Sequence, residues 1–127
     1  MDTLLAAADI ISIHTPLETS RNMIAKPQFM KMKPRALLVN VSRGGIVNEE
    51  DLEEALRTGA IAGAAMDVLK KEPPVGKHPL FEYENFLCTP HMAWYSEEAS
   101  KDLKRKLAEE MVRAMKGLPL CYQLNSF

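Results

Sequence analysis

Cysteine is scarce in this sequence of 127 residues, which contains only Cys88 and Cys121. Two cysteines are too few for a disulfide framework, and their separation does not match the paired spacing of zinc ligands. The three histidines, His14, His78 and His91, do not form a metal-ligand pattern with the scattered acidic residues either. We therefore expect a reducing compartment and predict no metal site.

Excess charge of one sign and long apolar runs are also lacking. The formal net charge of −1 gives no electrostatic basis for binding nucleic acid or an anionic membrane. No uninterrupted apolar run approaches the length of a membrane-spanning helix, and the N-terminus carries Asp2 where a signal peptide has a basic region. These absences predict a soluble, cytoplasmic protein without direct contacts to nucleic acid or membrane.

Strand-like and helix-like segments alternate along the chain, which is 46% hydrophobic and 26% charged. Strands are predicted at residues 10–14, 37–41, 60–68 and 86–89, and helices at residues 2–8, 27–32, 49–58 and 97–116, with a loop at 17–22. Asn48 and Gly59 are typical helix-ending residues, as are Ser96 and Gly117 for the last helix. This alternation predicts an α/β fold with a parallel sheet.

The stretch from Leu37 to Val47 contains the strongest local signal. Its aliphatic strand, interrupted by one asparagine, is predicted to be buried on both faces. Ser42 and Arg43 follow where the strand ends, and Gly44 and Gly45 permit a sharp turn because glycine adopts φ angles that other residues resist. The arginine is therefore expected at the carboxyl edge of the sheet, where parallel α/β proteins bind ligands.

Polar side chains follow three of the predicted strands: Arg43, the pair Asp67 and Glu72, and His91. Parallel strands bring their carboxyl ends to one edge, so we expect these groups to converge. Each residue alone has an ordinary explanation as a surface charge, a loop cap or a structural histidine. Together they can clamp a carboxylate and exchange a proton near neutral pH, which is the chemistry needed to reduce a 2-oxo acid.

Cys88 and His91 offer an alternative as a nucleophile and its base. No third group orients the pair, so the sequence gives this alternative little support.

Four ordered motifs resemble the D-isomer-specific 2-hydroxyacid dehydrogenase family. They are the segments 8–17 (Ala-Asp-Ile-Ile-Ser-Ile-His-Thr-Pro-Leu), 39–47 (Val-Asn-Val-Ser-Arg-Gly-Gly-Ile-Val), 64–68 with Glu72-Pro73 (Ala-Ala-Met-Asp-Val), and 89–91 (Thr-Pro-His). The resemblance implies the C-terminal half of an NAD-binding Rossmann domain at residues 1–95. It also implies a C-terminal helix and tail at 96–127 that pack on a substrate domain or a partner subunit.

The resemblance also implies roles for individual residues. Arg43 would bind the substrate carboxylate and carbonyl, His91 would be the general acid/base, and Glu72 would pair with His91. The cofactor would be NAD and the substrate a small 2-oxo or 2-hydroxy acid. The implied cofactor contacts are Thr15, Pro16, Leu17, Val41, Ser42, Asp67, His91, Met92, Ala93 and Trp94.

The six glycines nowhere form the Gly-x-Gly-x-x-Gly turn that holds a dinucleotide pyrophosphate. We therefore expect that another segment normally precedes Met1, and that this chain alone shows weak or no turnover. An unpaired strand edge would favour self-association, so we expect a homo-oligomer, a dimer or larger. The segment 91–100 also resembles the C-terminal-binding-protein branch of the family, which leaves a non-catalytic, NAD-sensing corepressor-like or scaffold role as the alternative.

Overall fold

The computed structural model describes residues 1–125 and divides the chain into two compact units, one at residues 1–93 and the other from residue 94 onward. The helices are α1 (Asp2–Ala7), α2 (Leu17–Ser20), α3 (Lys26–Phe29), α4 (Glu49–Thr58) and α5 (Glu97–Met115), with a 3₁₀ helix at Pro79–Glu82. The strands are β1 (Ile10–Ile13), β2 (Leu37–Asn40), β3 (Gly63–Met66) and β4 (Phe86–Cys88).

The first unit is built on one parallel sheet with the strand order β1-β2-β3-β4. Ile13, Asn40, Met66 and Cys88 lie side by side at the carboxyl ends of the four strands. Because each strand runs in the same direction, the segments that follow them all leave the sheet at the same edge. The predicted parallel α/β fold is confirmed, and this edge carries the predicted site residues.

The hydrophobic core lies on one face of the sheet. Strand residues such as Leu38 and Met66 pack there against Leu5 of α1, Phe29 of α3 and Leu52 of α4. Strand side chains on the other face remain open, and Ile10, Leu37 and Leu87 are 67%, 44% and 61% exposed. The prediction that β2 is buried on both faces is therefore wrong in this structure, because every helix in the core cluster packs on the same face.

Helix α4 ends as its sequence predicts. The Asn48 side chain accepts a hydrogen bond from the Asp51 N–H at 2.9 Å, and Gly59 adopts the left-handed conformation with φ 71°. Both features satisfy backbone groups that a helix terminus leaves without intrahelical partners. The helix also packs against the core through its buried residues Leu52, Ala55 and Leu56.

Other elements differ from the sequence prediction mainly at their ends. The predicted loop at 17–22 contains the short helix α2, and each strand is shorter than predicted. Asp2 lies in the first turn of α1 and forms an ion pair with Lys31, whereas Met1 occupies the N-cap position. The acidic side chain is therefore used for a contact with a distant segment and not for capping.

The second unit consists of α5 and the tail that follows it. Ser96 caps the helix by accepting from the Ala99 N–H at 3.0 Å, as predicted. The tail folds back on the helix, where the Glu110 carboxylate accepts from the N–H groups of Cys121 and Tyr122. No residue of α5 is buried, and none of the helices within residues 1–125 is long and apolar enough to span a membrane.

The assignment of residues 96–127 to contacts with a substrate domain or a partner subunit stays a prediction. Residues 126 and 127 of that segment lie outside the described residues.

Candidate active site

Three adjoining cavities follow the carboxyl edge of the sheet. The first, of about 480 Å³, lies at the ends of β1 and β2. The second, of about 210 Å³, shares Val41 with the first and continues toward β3 and β4. The third, of about 390 Å³, shares Asp67 and Thr89 with the second and includes Glu72 and His91 in its lining.

Asn40 shapes the turn that carries Arg43. Its buried side chain donates to the Arg43 carbonyl at 3.0 Å and accepts from the Ser42 N–H at 3.1 Å. Ser42 in turn donates to the Ile13 carbonyl at 2.7 Å, which ties the turn to β1. Sequence reasoning missed this role of Asn40, although one amide within an aliphatic strand was the available signal.

The two glycines after Arg43 serve different purposes. Gly45 has a φ of 81°, in the left-handed region that glycine adopts most easily. Gly44 is required for close approach, because a Cβ on it would lie 1.9 Å from the carbonyl oxygen of Leu69. The prediction that both glycines supply unusual φ angles is thus correct for Gly45 and wrong for Gly44.

The carboxylate of Asp67 organises the segment after β4. It accepts hydrogen bonds from the Thr89 hydroxyl, the Met92 N–H at 2.9 Å and the Ala93 N–H at 2.8 Å. Burial raises the pKa of this carboxyl, but the three donors outweigh burial, so its pKa lies below the ordinary value. Its implied contact with the cofactor carboxamide stays a prediction.

His91 and Glu72 form a short polar contact at this edge. The Nδ1 atom of His91 lies 2.6 Å from Oε2 of Glu72. His91 has a φ of 50°, and its N–H donates to the backbone carbonyls of Asp67 and Thr89. A non-glycine residue in this left-handed region is strained, and the hydrogen bonds of the His91 N–H help to hold it there.

The other oxygen of Glu72 accepts the Leu69 N–H at 2.7 Å. Burial raises the pKa of the Glu72 carboxyl, but the hydrogen bonds from His91 and Leu69 outweigh it and leave the pKa below its ordinary value. An ionised carboxylate at Nδ1 favours a proton on that nitrogen and fixes the orientation of the ring. The remaining ring nitrogen is then suited to exchange a proton with a ligand.

The structure distributes the predicted residues over the three cavities. Arg43 lines the first cavity, whereas Glu72 and His91 line the third. Thr15, Pro16, Leu17, Val41 and Ser42 line the first cavity with Arg43, and Val41, Asp67, Met92 and Ala93 line the second. Trp94 begins the second unit.

The alternative pairing of Cys88 with His91 fits the structure poorly. The Cys88 thiol donates to the Thr89 carbonyl, and burial, together with nearby carboxylates, raises its pKa. A thiol whose pKa is raised is a weak nucleophile. Within residues 1–125, no group of three or more His, Cys, Asp or Glu side chains is placed to hold a metal ion.

Comparison with protein families shows which family this chain belongs to. Residues 1–93 match the family described as D-isomer specific 2-hydroxyacid dehydrogenase, NAD binding domain. The chain belongs to this family. The D-2-hydroxyacid dehydrogenases are NAD-dependent enzymes, and the matched region is their NAD-binding domain.

Curated relatives in the family are much longer than this chain. The D-3-phosphoglycerate dehydrogenase of Archaeoglobus fulgidus is 43% identical over 125 residues, which are 98% of this chain and 24% of the relative. The glycerate dehydrogenase of Methylorubrum extorquens is 39% identical over 94% of this chain and 39% of its own length. The chain thus spans about a quarter to two fifths of these relatives.

A solved structure of the family has the same fold. The D-lactate dehydrogenase of Lactobacillus jensenii, crystallised with NAD+, superposes with a TM-score of 0.90 at 31% identity. The match covers 98% of this chain and 42% of that protein. These relatives are enzymes, and the comparisons give no support to the corepressor-like alternative.

The first cavity has a feature that fits a polar cofactor of this family. The Thr15 hydroxyl is buried and has no hydrogen-bond partner among residues 1–125. Buried hydroxyls are nearly always paired, so an unpaired one at the ligand edge of a parallel sheet indicates a missing partner. The cavity therefore fits part of a dinucleotide, although the chain contains no glycine-rich pyrophosphate loop.

Replacing Gly44 by alanine should displace the backbone around Leu69. The added methyl cannot lie 1.9 Å from a carbonyl oxygen, so we expect a loss of about 1–3 kcal/mol in stability. Amide chemical shifts of residues 69–72 should change in the NMR spectrum. Gly59→Ala is the control, since that position has a positive φ but no atom within 4 Å of the added carbon. Unchanged shifts at 69–72 in Gly44→Ala would contradict the close approach.

Asp67→Asn should destabilise the protein in a pH-dependent way. The NH₂ group of the asparagine replaces one carboxylate oxygen, so at one of the three hydrogen bonds two donors face each other. This costs about 1–3 kcal/mol at pH 7. Because the folded-state pKa of Asp67 is lowered, its carboxylate stabilises the fold above the unfolded value of 3.8, and this stabilisation is lost as pH falls through the folded pKa. The difference between wild type and variant should therefore shrink in acid.

Urea unfolding at pH 7 and below about pH 4 measures this difference. Asp9→Asn is the control, because Asp9 forms ion pairs with Lys33 and Arg35 at the surface, where solvent screens them. A difference for Asp67→Asn that grows in acid would refute the assignment.

Proposed function

We propose that this chain supplies the acid–base pair and part of the NAD site of an enzyme that interconverts a 2-oxo acid and a D-2-hydroxy acid. The observation that carries the proposal is the contact of 2.6 Å between His91 and Glu72 at the ligand edge of the sheet. The family match supplies the reaction class. Glu72 orients the imidazole, and His91 moves the proton.

His91 gives a proton to the substrate carbonyl oxygen during reduction and takes it back from the hydroxyl during oxidation. Nε2 is the atom that exchanges this proton, because Nδ1 faces the Glu72 carboxylate. The Glu72 carboxylate at Nδ1 keeps the ring in the orientation that this transfer needs. A bound nicotinamide cofactor would supply the hydride to the substrate carbon as NADH in reduction and accept it as NAD⁺ in oxidation.

Arg43 is assigned to the substrate carboxylate. A guanidinium binds a carboxylate through two parallel hydrogen bonds and polarises a neighbouring carbonyl. The turn that carries it is held by Asn40, and the Arg43 side chain donates to the Ser42 carbonyl at 2.7 Å. These contacts keep the guanidinium beside the cavity that it lines.

The cofactor is assigned to the cavities along the carboxyl edge. The adenosine half would contact Thr15, Pro16 and Leu17, and the nicotinamide ribose would contact Val41 and Ser42. Asp67 and the residues from His91 to Trp94 would surround the carboxamide. The unpaired Thr15 hydroxyl supports the first of these assignments, and the shared lining of the cavities supports a continuous site.

The chain alone should bind NADH weakly and turn over slowly or not at all, because no Gly-x-Gly-x-x-Gly loop is present to hold the pyrophosphate. A chimera is the appropriate test, in which this chain replaces the matching segment of the Archaeoglobus fulgidus D-3-phosphoglycerate dehydrogenase. The chimera should oxidise D-3-phosphoglycerate with NAD, and His91→Gln in the chimera should lower kcat about 100-fold or more. Absorbance of the NADH formed measures both rates.

Glu72→Gln should also lower kcat in the chimera, because the amide NH₂ group would replace one of the two oxygens that face the Leu69 N–H and His91 Nδ1, which weakens the orientation of the imidazole. Glu82→Gln is the matched control on an exposed carboxylate of the 3₁₀ helix and should leave kcat unchanged. A chimera that folds by circular dichroism but is inactive, or that stays active with His91→Gln, would refute the proposed roles.

We also propose that the chain forms a homo-oligomer through the open face of its sheet. Leu87 is 61% exposed there and lies among other uncovered apolar residues. Sedimentation at micromolar concentration should show a dimer or larger species, and Leu87→Glu should shift it toward the monomer. Met30→Glu is the control, since Met30 is 77% exposed at the end of α3. A monomeric wild type would contradict this proposal.

A further inference from the structure

The segment from residue 69 to residue 78 lies between β3 and the 3₁₀ helix and carries Glu72. Two carboxylates bind its first two amides. Glu72 accepts the Leu69 N–H at 2.7 Å from within the segment, and Glu49 of α4 accepts the Lys70 N–H. The backbone at the start of this segment is therefore held on one side by its own glutamate and on the other by a neighbouring helix.

Glu49 also holds the far end of the segment. Its second carboxylate oxygen lies 3.3 Å from Nε2 of His78, the residue directly before the 3₁₀ helix. The side chains of Glu49 and His78 are only 12% and 18% exposed. The His78 ring also packs beside the Phe81 ring, with 5.2 Å between their centroids. One side chain thus joins both ends of the segment.

Helix α4 makes Glu49 a firm attachment point. Asn48 caps the helix directly before Glu49, and Leu52 one turn later is fully buried. The neighbouring Glu50 differs from Glu49, because its side chain is 72% exposed and its carboxylate lies 3.7 Å from the Lys70 ammonium. Two adjacent acids in the same helical turn therefore have very different contacts with the same segment.

We propose that Glu49 is a positioning residue that holds residues 69–78 so that the Glu72 carboxylate meets His91. This inference rests on the proposed role of the Glu72–His91 pair. Burying a carboxylate costs free energy unless its oxygens are used, and both oxygens of Glu49 bind this one segment. His78 is the second attachment point, and Glu49 acts on His91 only through Glu72.

The test compares Glu49→Ala with Glu50→Ala in the full chain. Both changes remove one acid from the first turn of α4, so their effects on the helix dipole match. In Glu49→Ala, the Glu72 carboxyl pKa should rise toward its ordinary value, and hydrogen exchange at the Leu69 and Lys70 amides should become about tenfold faster. In Glu50→Ala, neither quantity should change. Carbon-detected NMR titration and amide exchange measure them.

Glu49→Gln should restore wild-type behaviour, because its amide oxygen still accepts the Lys70 N–H and its amide nitrogen faces His78. If Glu49→Ala acted only by damaging the structure in general, Glu49→Gln would not return the Glu72 pKa to its wild-type value. His78→Ala provides a second variant that keeps the Lys70 hydrogen bond, and it should shift the Glu72 pKa in the same direction by less.

An unchanged Glu72 pKa in both Glu49→Ala and His78→Ala, or an equal shift in Glu50→Ala, would overturn the inference. The measurements use neither cofactor nor substrate. An inactive chimera would therefore contradict the proposed function but would not change the measured effect of Glu49 on the Glu72 pKa. In the same way, an unchanged Glu72 pKa would contradict the role of Glu49 but not the proposed function.

Discussion

The buried carboxylate of Asp67 is the interaction on which the arrangement of the site depends. It accepts from the Thr89 hydroxyl and from the N–H groups of Met92 and Ala93, so the chain after β4 is wrapped around the end of β3. His91 lies inside this wrap, and its own N–H donates to the Asp67 carbonyl. The left-handed φ of His91 is held by the hydrogen bonds of its own N–H and of the N–H groups of Met92 and Ala93.

A second set of contacts connects the arginine turn to the segment that carries Glu72. Asn40 holds the turn after β2, and Gly44 within that turn lies directly against the Leu69 carbonyl. The N–H of Leu69 donates to Glu72. Gly44 and Leu69 thus join the arginine turn to the segment that carries Glu72, the carboxylate that faces His91. Arg43 and His91 line separate cavities, and this series of contacts runs between them.

The sheet itself is covered on one face only. Leu38 and its neighbours pack against helices, while Leu37 and Leu87 on the other face are exposed. Parallel sheets normally have both faces covered, and the chain spans only part of the length of its relatives. Both residues of the proposed acid–base pair nevertheless lie within this chain, because residues 67–93 include Glu72, His91 and the Asp67 carboxylate that binds the segment around His91.

The sequence by itself determined the features that depend on neighbouring residues. The caps of α4, its inward face and the left-handed Gly59 were predictable because helix termini are satisfied within a few residues. The alternation of strands and helices likewise predicted a parallel sheet, and that sheet brings Asp67, Glu72 and His91 to one edge. Only the tertiary structure decided which face of the sheet was covered, why Gly44 must lack a side chain and what Asn40 and Glu49 bind. Each of these features depends either on a contact between segments that are distant in the sequence, which no local pattern predicts, or on the exact residue at which a strand ends. The physical reason is that backbone and helix preferences act over a few residues, whereas close packing and buried hydrogen bonds are set by the whole fold.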